Sequence, residues 1–463
     1  MRVLLTNNTL SMRAGSELYV RDVALALLRL GHQPVAYSTR LGEVAEELRT
    51  ATVPVIDDLA QLAAEPDVIH GHHHLDAMTA MLHFPRVPAI YFCHGWVPWE
   101  EMAPQFPTIR RYVAVDDLCQ ERLQCVHGIV PDKIRIIRNF VDLERFPLRD
   151  ELPAAPRRAL VFSNYLNEQR GLAVLREVCA SRGIALDAVG LSTGHSEPQP
   201  ERVLGQYDIV FAKARCALEA LAIGNAVIAC DAAGLAGMVT PGNYQELRNL
   251  NFGVRSLREP ITVENVARAL DSYDPRASRA VSLRVRAEAG LGPAIQQILA
   301  VYHEALEDYR GSPAEPELLL RSASVYLRQV ADFAKGRYIA ESERWLAQSQ
   351  AAAQSRLAEE RSQQLQAALA ETAQAESERQ LAQAQAAAQC RLAEERGQEL
   401  QAALAEMARA EVDRLCLREN LATVECELVE RKAELASIRN SRLGRCMDWI
   451  WRWKLRLLGG NGR

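Results

Sequence analysis

The sequence has no Cys-x-x-Cys pair, and its ten cysteines are scattered over 463 residues. That excludes a disulfide scaffold and a thiolate zinc site, and it points to reduced thiols in a cytosolic compartment. No apolar run approaches the length that crosses a bilayer. The opening MRVLLTNNTLSMRAG has only three consecutive apolar residues before polar ones, which reads as a first strand rather than a secretory leader. Charge of one sign is also lacking. The net charge of −5 excludes a general nucleic-acid binder. What remains is an ordinary soluble composition, 48% hydrophobic and 24% charged, in a chain long enough for two or three folding units.

The chain changes character near residue 311. Before it, short apolar runs alternate with stretches of helical periodicity. Arg2–Leu5 reads as a buried strand, and Ser16–Leu30 as a helix closed by Gly31-His32. Further strands are expected at Gln33–Tyr37, Val68–His70, Ala89–Phe92 and Tyr112–Val115. The Pro-rich Leu152–Pro156 reads as a linker. The alternation then restarts at Ala159–Phe162, Leu186–Val189, Ile209–Phe211 and Ala226–Ala229. Two such halves predict two Rossmann-like α/β domains, residues 1–150 and 151–310, facing each other over a cleft. Ligands of such sheets bind beyond the C-terminal ends of the strands.

Beyond Gly311-Ser312-Pro313 strand signals stop. A helical linker is expected over 311–341, then a long helix or coiled coil over 342–438 rich in Ala, Gln, Glu, Arg and Leu. Ser342–Glu376 recurs as Ser377–Glu411, an offset of 35 residues, but its leucines keep no clean seam. A long helix therefore describes this repeat better than a tight coiled coil. A seam does form at Leu417, Leu421, Val424, Leu428, Leu435 and Ile438, with Arg431 interrupting it. That seam predicts a homodimer through 417–438. The tail 439–463 holds seven Lys/Arg and one Asp, a net +6. Its Trp and Leu residues largely gather on one helical face and its arginines opposite. This is the pattern of a helix lying on an anionic membrane surface; docking onto the enzyme or a partner helix is the alternative.

Several segments carry chemistry. Ala14-Gly15-Ser16-Glu17 opens a helix just after a strand, where small residues and free N–H groups suit a phosphate, although any strand-to-helix turn favours small residues. His70, His72, His73 and His74 are nearly consecutive and lack the spacing of a metal motif, so a histidine-lined loop is expected and no metal. His94, at the end of another strand, could hydrogen-bond a sugar or be a satisfied loop histidine. In the second half, Phe211-Ala-Lys213-Ala-Arg215 leads into a helix bearing Glu219 that ends at Gly224. A buried strand and a loop containing Gly234 follow. A carboxylate there can hold ribose hydroxyls, and Lys213 and Arg215 can meet a diphosphate. Alternatively, Glu219 caps its own helix and the cations are solvated.

Taken in order, these segments resemble family 4 of the GT-B glycosyltransferases. LEALAIGNAVIACDAAGLAGMV resembles the family stretch LEAMAxGxPVIAxDxGGxxExV. AGSELYVRDVALALLRLGHQPVAYS resembles GGxE…LAxxLxxxGHxVxxxT, DVIHGH resembles DVIHxH, and RNFVDLERF resembles PNGVDxxxF. The match spans about residues 1–308. It implies a GT-B fold and a hexosyltransferase-like enzyme that moves a sugar from a nucleotide sugar to a glycan or lipid-linked acceptor. It further implies retention at the anomeric carbon, no cofactor and no metal.

On this resemblance His94, Arg170, Lys213 and Arg215 form the catalytic set. Gly15, Asn164, Glu219 and Gly234 bind the nucleotide sugar, with Glu219 on the ribose. Two departures stand out: Phe211 occupies the place of an expected acidic residue, and the segment Ser163–Gly171 lacks the arginine of the family's GRL…KG. Arg170 stands for the lysine there. Losing one preorganised charge costs on the order of 100- to 1000-fold in rate, so Lys213 and Arg215 are expected to compensate. The alternative is a catalytically degenerate sugar- or nucleotide-binding scaffold held at a membrane. A GT-B epimerase or phosphorylase is a further alternative; no lysine-anchored pyridoxal phosphate signature supports the latter. The location expected is cytoplasmic, peripheral at the inner face of the membrane.

Overall fold

In the computed structural model, which describes residues 1–195, 197–383, 397, 399–420 and 424, strands and helices alternate from the first residue. The first sheet and its helices comprise β1 (Arg2–Thr6), α1 (Gly15–Arg29), β2 (Gln33–Tyr37), α2 (Glu43–Thr50), β3 (Val55–Ile56), β4 (Val68–His72), α3 (His74–His83), β5 (Ala89–Cys93), β6 (Ile109–Ala114), α4 (Asp117–Glu121) and β7 (Ile134–Ile136). Its strand order is β3-β2-β1-β4-β5-β6-β7, parallel throughout.

The second part comprises β8 (Arg158–Phe162), α5 (Leu172–Ser181), β9 (Ala185–Val189), α6 (Pro200–Val203), β10 (Ile209–Ala212), α7 (Ala214–Ile223), β11 (Ala226–Asp231), β12 (Gly234–Met238), α8 (Tyr244–Asn249), α9 (Val263–Asp271), α10 (Pro275–Glu288) and α11 (Leu291–Gly311). Its sheet runs β12-β11-β10-β8-β9, with β12 antiparallel at the edge. This is α/β architecture with two Rossmann-like sheets, as the alternation predicts. Strands buried on both faces explain the unbroken apolar runs, such as Ala-Val-Ile-Ala-Cys-Asp in β11, where every residue is buried.

Both sheets have a topological switch point. In the first, β1 is flanked by β2 and β4; in the second, β8 is flanked by β9 and β10. The chain leaves the central strand in opposite directions there, opening a crevice at the C-terminal strand ends. The loops after β1, β4, β8 and β10 therefore hold the positions most suited to ligand.

Helix α11 departs from the expected partition. Although it ends the stretch assigned to the second domain, its Leu291, Ile295, Ile298 and Tyr302 are buried in the core of the first sheet with Val3, Leu5 and Val20. The second sheet has a separate core on each face, one built on α7 and α10 and the other on α5 and α9. The loop read at Ala232–Leu235 is shorter than expected, because Gly234 already begins β12.

By contact density the chain divides into two compact units, one holding Met1–Ala323 and the other within Ser324–Glu434. Helix α12 (Pro316–Gln383) runs unbroken for 68 residues, so residues 316–341 of the linker expected at 311–341 and the first repeat copy share one helix, after a break at 312–315 that follows α11. Residues 399–420 are helical as well, and Arg344 Nη2 donates to the carbonyl of Val424 at 2.8 Å. Most of the seam at 417–438 and all of the tail 439–463 lie outside the described residues. Among the described residues no helix is long and apolar enough to cross a membrane.

Candidate active site

The C-terminal ends of β8, β10 and β11 bring three side chains together. Lys213, the N-cap residue of α7, forms an ion pair with Asp231 at the end of β11. Asp231 also accepts a 2.6 Å hydrogen bond from Ser163 Oγ, just beyond β8. Ser163 Oγ in turn accepts from the N–H groups of Tyr165 and Leu166, which fixes the loop's path. The Lys213 ammonium stands 4.3 Å from the Tyr165 ring centroid. Around this triad lies a cavity of about 510 Å³ lined by Tyr165, Gln169, Arg170, Lys213, Asp231, Ala232 and Ala233. It opens at the β8/β10 switch point, where a nucleotide is expected. Arg170 and Lys213 of the expected set are thus brought together. Asn164 and Gly234 are not among the lining residues. Asn164 is exposed and its Oδ1 accepts from the Leu191 N–H. Gly234 has a structural reason for lacking a side chain: at φ +144 a Cβ would stand 2.7 Å from the Glu259 carbonyl oxygen.

Arg215 and Glu219 form a second group. Helix α7 begins at Ala214, so Arg215 lies inside the helix it was expected to lead into, in its first turn, and Glu219 lies in the second. The Arg215 Nε donates to Glu219 Oε1 at 2.7 Å, and its Nη2 pairs with Asp22 on α1. Burial opposes the charge on Arg215, but the Asp22 and Glu219 carboxylates outweigh it and hold its pKa above the usual value. Burial likewise disfavours the charged Asp22, yet Arg215 and Arg21 keep its pKa low. Ala214, between the two cations, has φ +49, a left-handed conformation that alanine adopts only at a cost. Phe211, in the place of the expected acidic residue, is fully buried in the core of the second sheet, so no carboxylate could enter the crevice from there.

His94 and Gly15 belong to the first sheet. The uncapped start of α1 leaves Gly15 exposed, and a Cβ there would meet nothing within 4 Å. His94 Nε2 lies 2.7 Å from His72 Nδ1 with the rings stacked, and Tyr19 packs edge-on at 4.7 Å. Burial lowers the His94 pKa to about 3, so the ring is neutral. His70 stacks on Phe92 at 3.9 Å and meets the Tyr302 hydroxyl. The histidine run is thus mainly packing. Among the described residues no His/Cys/Asp/Glu group could hold a metal ion.

Four groups here have no role of their own in the sequence reading. Glu101 Oε2 accepts the His94 N–H at 2.9 Å, and burial pushes its pKa up to about 8. Burial pushes Glu17, in the first turn of α1, up to about 7. Asp231 could have been found as the acidic end of a buried strand. Asp22 gives no local signal, because its partner is 193 residues away.

Residues 13–145 match the family described as Glycosyltransferase Family 4. No curated protein sequence matches the chain. Among solved structures it resembles a glycosyltransferase from Rickettsia africae, at 15% identity and TM-score 0.48, over 66% of this chain and 98% of that one. It also resembles Anabaena HepE in complex with UDP, at 14% identity and TM-score 0.49, over 65% and 99%. The motif resemblance and the family match coincide on the α/β domain that carries Gly15, the histidines and His94: through that domain the chain is recognised as similar to the GT-B glycosyltransferases of family 4.

Proposed function

We propose that the chain transfers a hexose from a nucleotide sugar to a glycan or lipid-linked acceptor, retaining the anomeric configuration without a metal. The observation that supports this best is the cavity at the β8/β10 switch point. It presents Arg170 and Lys213 where a diphosphate would lie and Tyr165 where a planar group could stack. In this reading Glu219 holds the donor ribose through its second oxygen, the first being taken by Arg215. His94 contacts the sugar, and the start of α1 approaches phosphate or acceptor. The tail, with its net charge of +6, would meet an anionic membrane at the cytoplasmic face, and the 417–438 seam would pair two chains.

A leaving nucleoside diphosphate gathers negative charge as the glycosidic bond breaks. A cation held there before reaction is worth on the order of 100-fold in rate. Lys213→Gln should therefore lower transfer or hydrolysis of UDP- and GDP-sugars by about that factor, with the fold intact. Wild-type protein that turns over no nucleotide sugar but still binds UDP or GDP would favour the non-catalytic scaffold. That second reading draws on Phe211 in the core and on the pairing of Lys213 with Asp231.

A further inference from the structure

Six charged side chains of alternating sign form an unbroken line from the loop after β1 to helix α7. Arg13, two residues before Gly15, pairs with Oε1 of Glu47 on α2. Glu47 Oε2 accepts from Arg21 Nη1 at 3.0 Å. The Nε and Nη2 of Arg21 donate to Oδ1 of Asp22 at 2.9 and 2.6 Å. Asp22 Oδ2 pairs with Arg215, whose Nε donates to Glu219 Oε1 at 2.7 Å. Glu47 and Asp22 thus each divide their two oxygens between two arginines. Among the described residues Glu219, at the end of the line, pairs with one.

Arg21, Asp22 and Glu219 are buried, so water screens little between them, and the balance of charge decides how each carboxylate is shared. In the intact line three arginines meet three carboxylates. Arg145, which also lies near Arg21, has its own partner, Glu201 on α6, at 2.7 Å, and Glu43 stands near Arg13. Burial lowers the Arg21 pKa, Arg215 and Arg145 act in the same direction, and Asp22 opposes them. Without Glu47, Arg21 would have only Asp22 to turn to. Three arginines would then share Asp22 and Glu219, and Arg215, losing part of Asp22, would draw on Glu219.

We propose that Glu47 is a positioning residue of the nucleotide site: by occupying Arg13 and Arg21 it leaves Asp22 to Arg215 and keeps Glu219 open to the donor ribose. This rests on the assignment of Glu219 to the ribose and deepens it. Glu47 lies on α2 and lines no part of the cavity beyond β8, β10 and β11, so it acts only through the line. The effect alternates in sign along the line. Loss of the Glu47 charge weakens nucleotide binding. Loss of the Arg13 charge gives Glu47 wholly to Arg21, releases Asp22 to Arg215 and strengthens binding. Loss of packing alone cannot produce that alternation.

The test is isothermal titration of the full chain with UDP and GDP, with unfolding midpoints to confirm that each variant folds. Glu47→Gln keeps the shape of the side chain without its charge and should weaken binding at least about threefold. Adding Arg21→Gln removes the cation left without its partner, and affinity should return to within about twofold of wild type. Arg13→Gln should tighten binding, and it carries the test if Glu47→Gln does not fold. Wild-type affinity in Glu47→Gln, a loss undiminished in the double variant, or unchanged or weaker binding in Arg13→Gln would overturn the proposal. Glu219→Gln separates this failure from failure of the ribose assignment. Weak binding there beside normal binding in Glu47→Gln sinks the positioning role alone. Normal binding in Glu219→Gln, or none in the wild type, removes the ribose assignment itself and the proposal with it.

Discussion

Glu101 sits beneath the loop that follows β5, its side chain 5% exposed, with His73 Nε2 at 3.6 Å and the His94 N–H on its other oxygen. Burial raises its pKa from 4.5 to about 8. In the fold it keeps a proton that the unfolded chain has already lost, so the folded state binds more protons between those values. Its contribution to stability is full below pH 4.5 and is lost as pH rises through 8, at about 1.4 kcal/mol per pH unit across the window. Glu17, raised to about 7, acts in the same direction. Glu101→Gln keeps an acceptor for the His94 N–H but cannot ionise. Unfolding midpoints measured from pH 5 to 9 should fall less steeply in this variant and lie above wild type near pH 8. An unchanged slope would mean that Glu101 titrates normally. Residues of this kind are hard to read in a sequence. His94 and Glu219 announce themselves by their place after a strand or on a helix. Whether a glutamate is protonated depends on which chain segments bury it, and Glu101 lies within an ordinary-looking Trp-Glu-Glu.

At the scale of elements, two glycines named from the same resemblance separate cleanly. Gly15 opens α1 into free space, whereas Gly234 begins β12 at φ +144 against the carbonyl oxygens of Glu259 and Leu257. Gly234→Ala should cost on the order of 2 kcal/mol or more, because the strand must move off both carbonyls. Gly15→Ala should fold with an unchanged midpoint, so that any loss of nucleotide-sugar turnover it causes reports a crowded ligand. Calorimetry of both variants checks this; equal destabilisation would refute the distinction. The same pair shows what the pattern of residues could reveal. Strands β8, β10 and β11 are legible because they are apolar runs buried on both faces, and α1 because its apolar residues keep helical spacing. Strand β12 was not, since Gly-Leu-Ala-Gly-Met has no period and its glycines read as loop. The long helix is legible from composition alone. The docking of α11 onto the first sheet is not, because an apolar helical face does not specify which sheet it covers.

At the scale of the whole α/β part, Arg215 joins a helix of the first sheet to a helix of the second. Each partner holds a spare contact: Asp22 keeps Arg21 at 2.6 Å, and Arg215 keeps Glu219 at 2.7 Å. Breaking a buried pair outright typically costs about 3–5 kcal/mol, but here neither charge would be stranded, so the link can open at a smaller cost. It also governs how far Arg215 competes for the carboxylate that the ribose would need. With Asp22 neutralised, Arg215 would turn wholly to Glu219. Asp22→Asn should therefore weaken UDP or GDP binding several-fold, although residue 22 belongs to the first sheet's domain and lines no part of the cavity beyond β8, β10 and β11. In the double variant Asp22→Asn with Arg215→Gln the competitor is gone, and Glu219 is released. The two changes should then be non-additive, with a coupling energy on the order of 1–3 kcal/mol. Isothermal titration of wild type, both single variants and the double variant measures this cycle. Additive losses would instead make Arg215 a direct ligand of the diphosphate, as the sequence alone suggests, and Asp22 a purely structural residue.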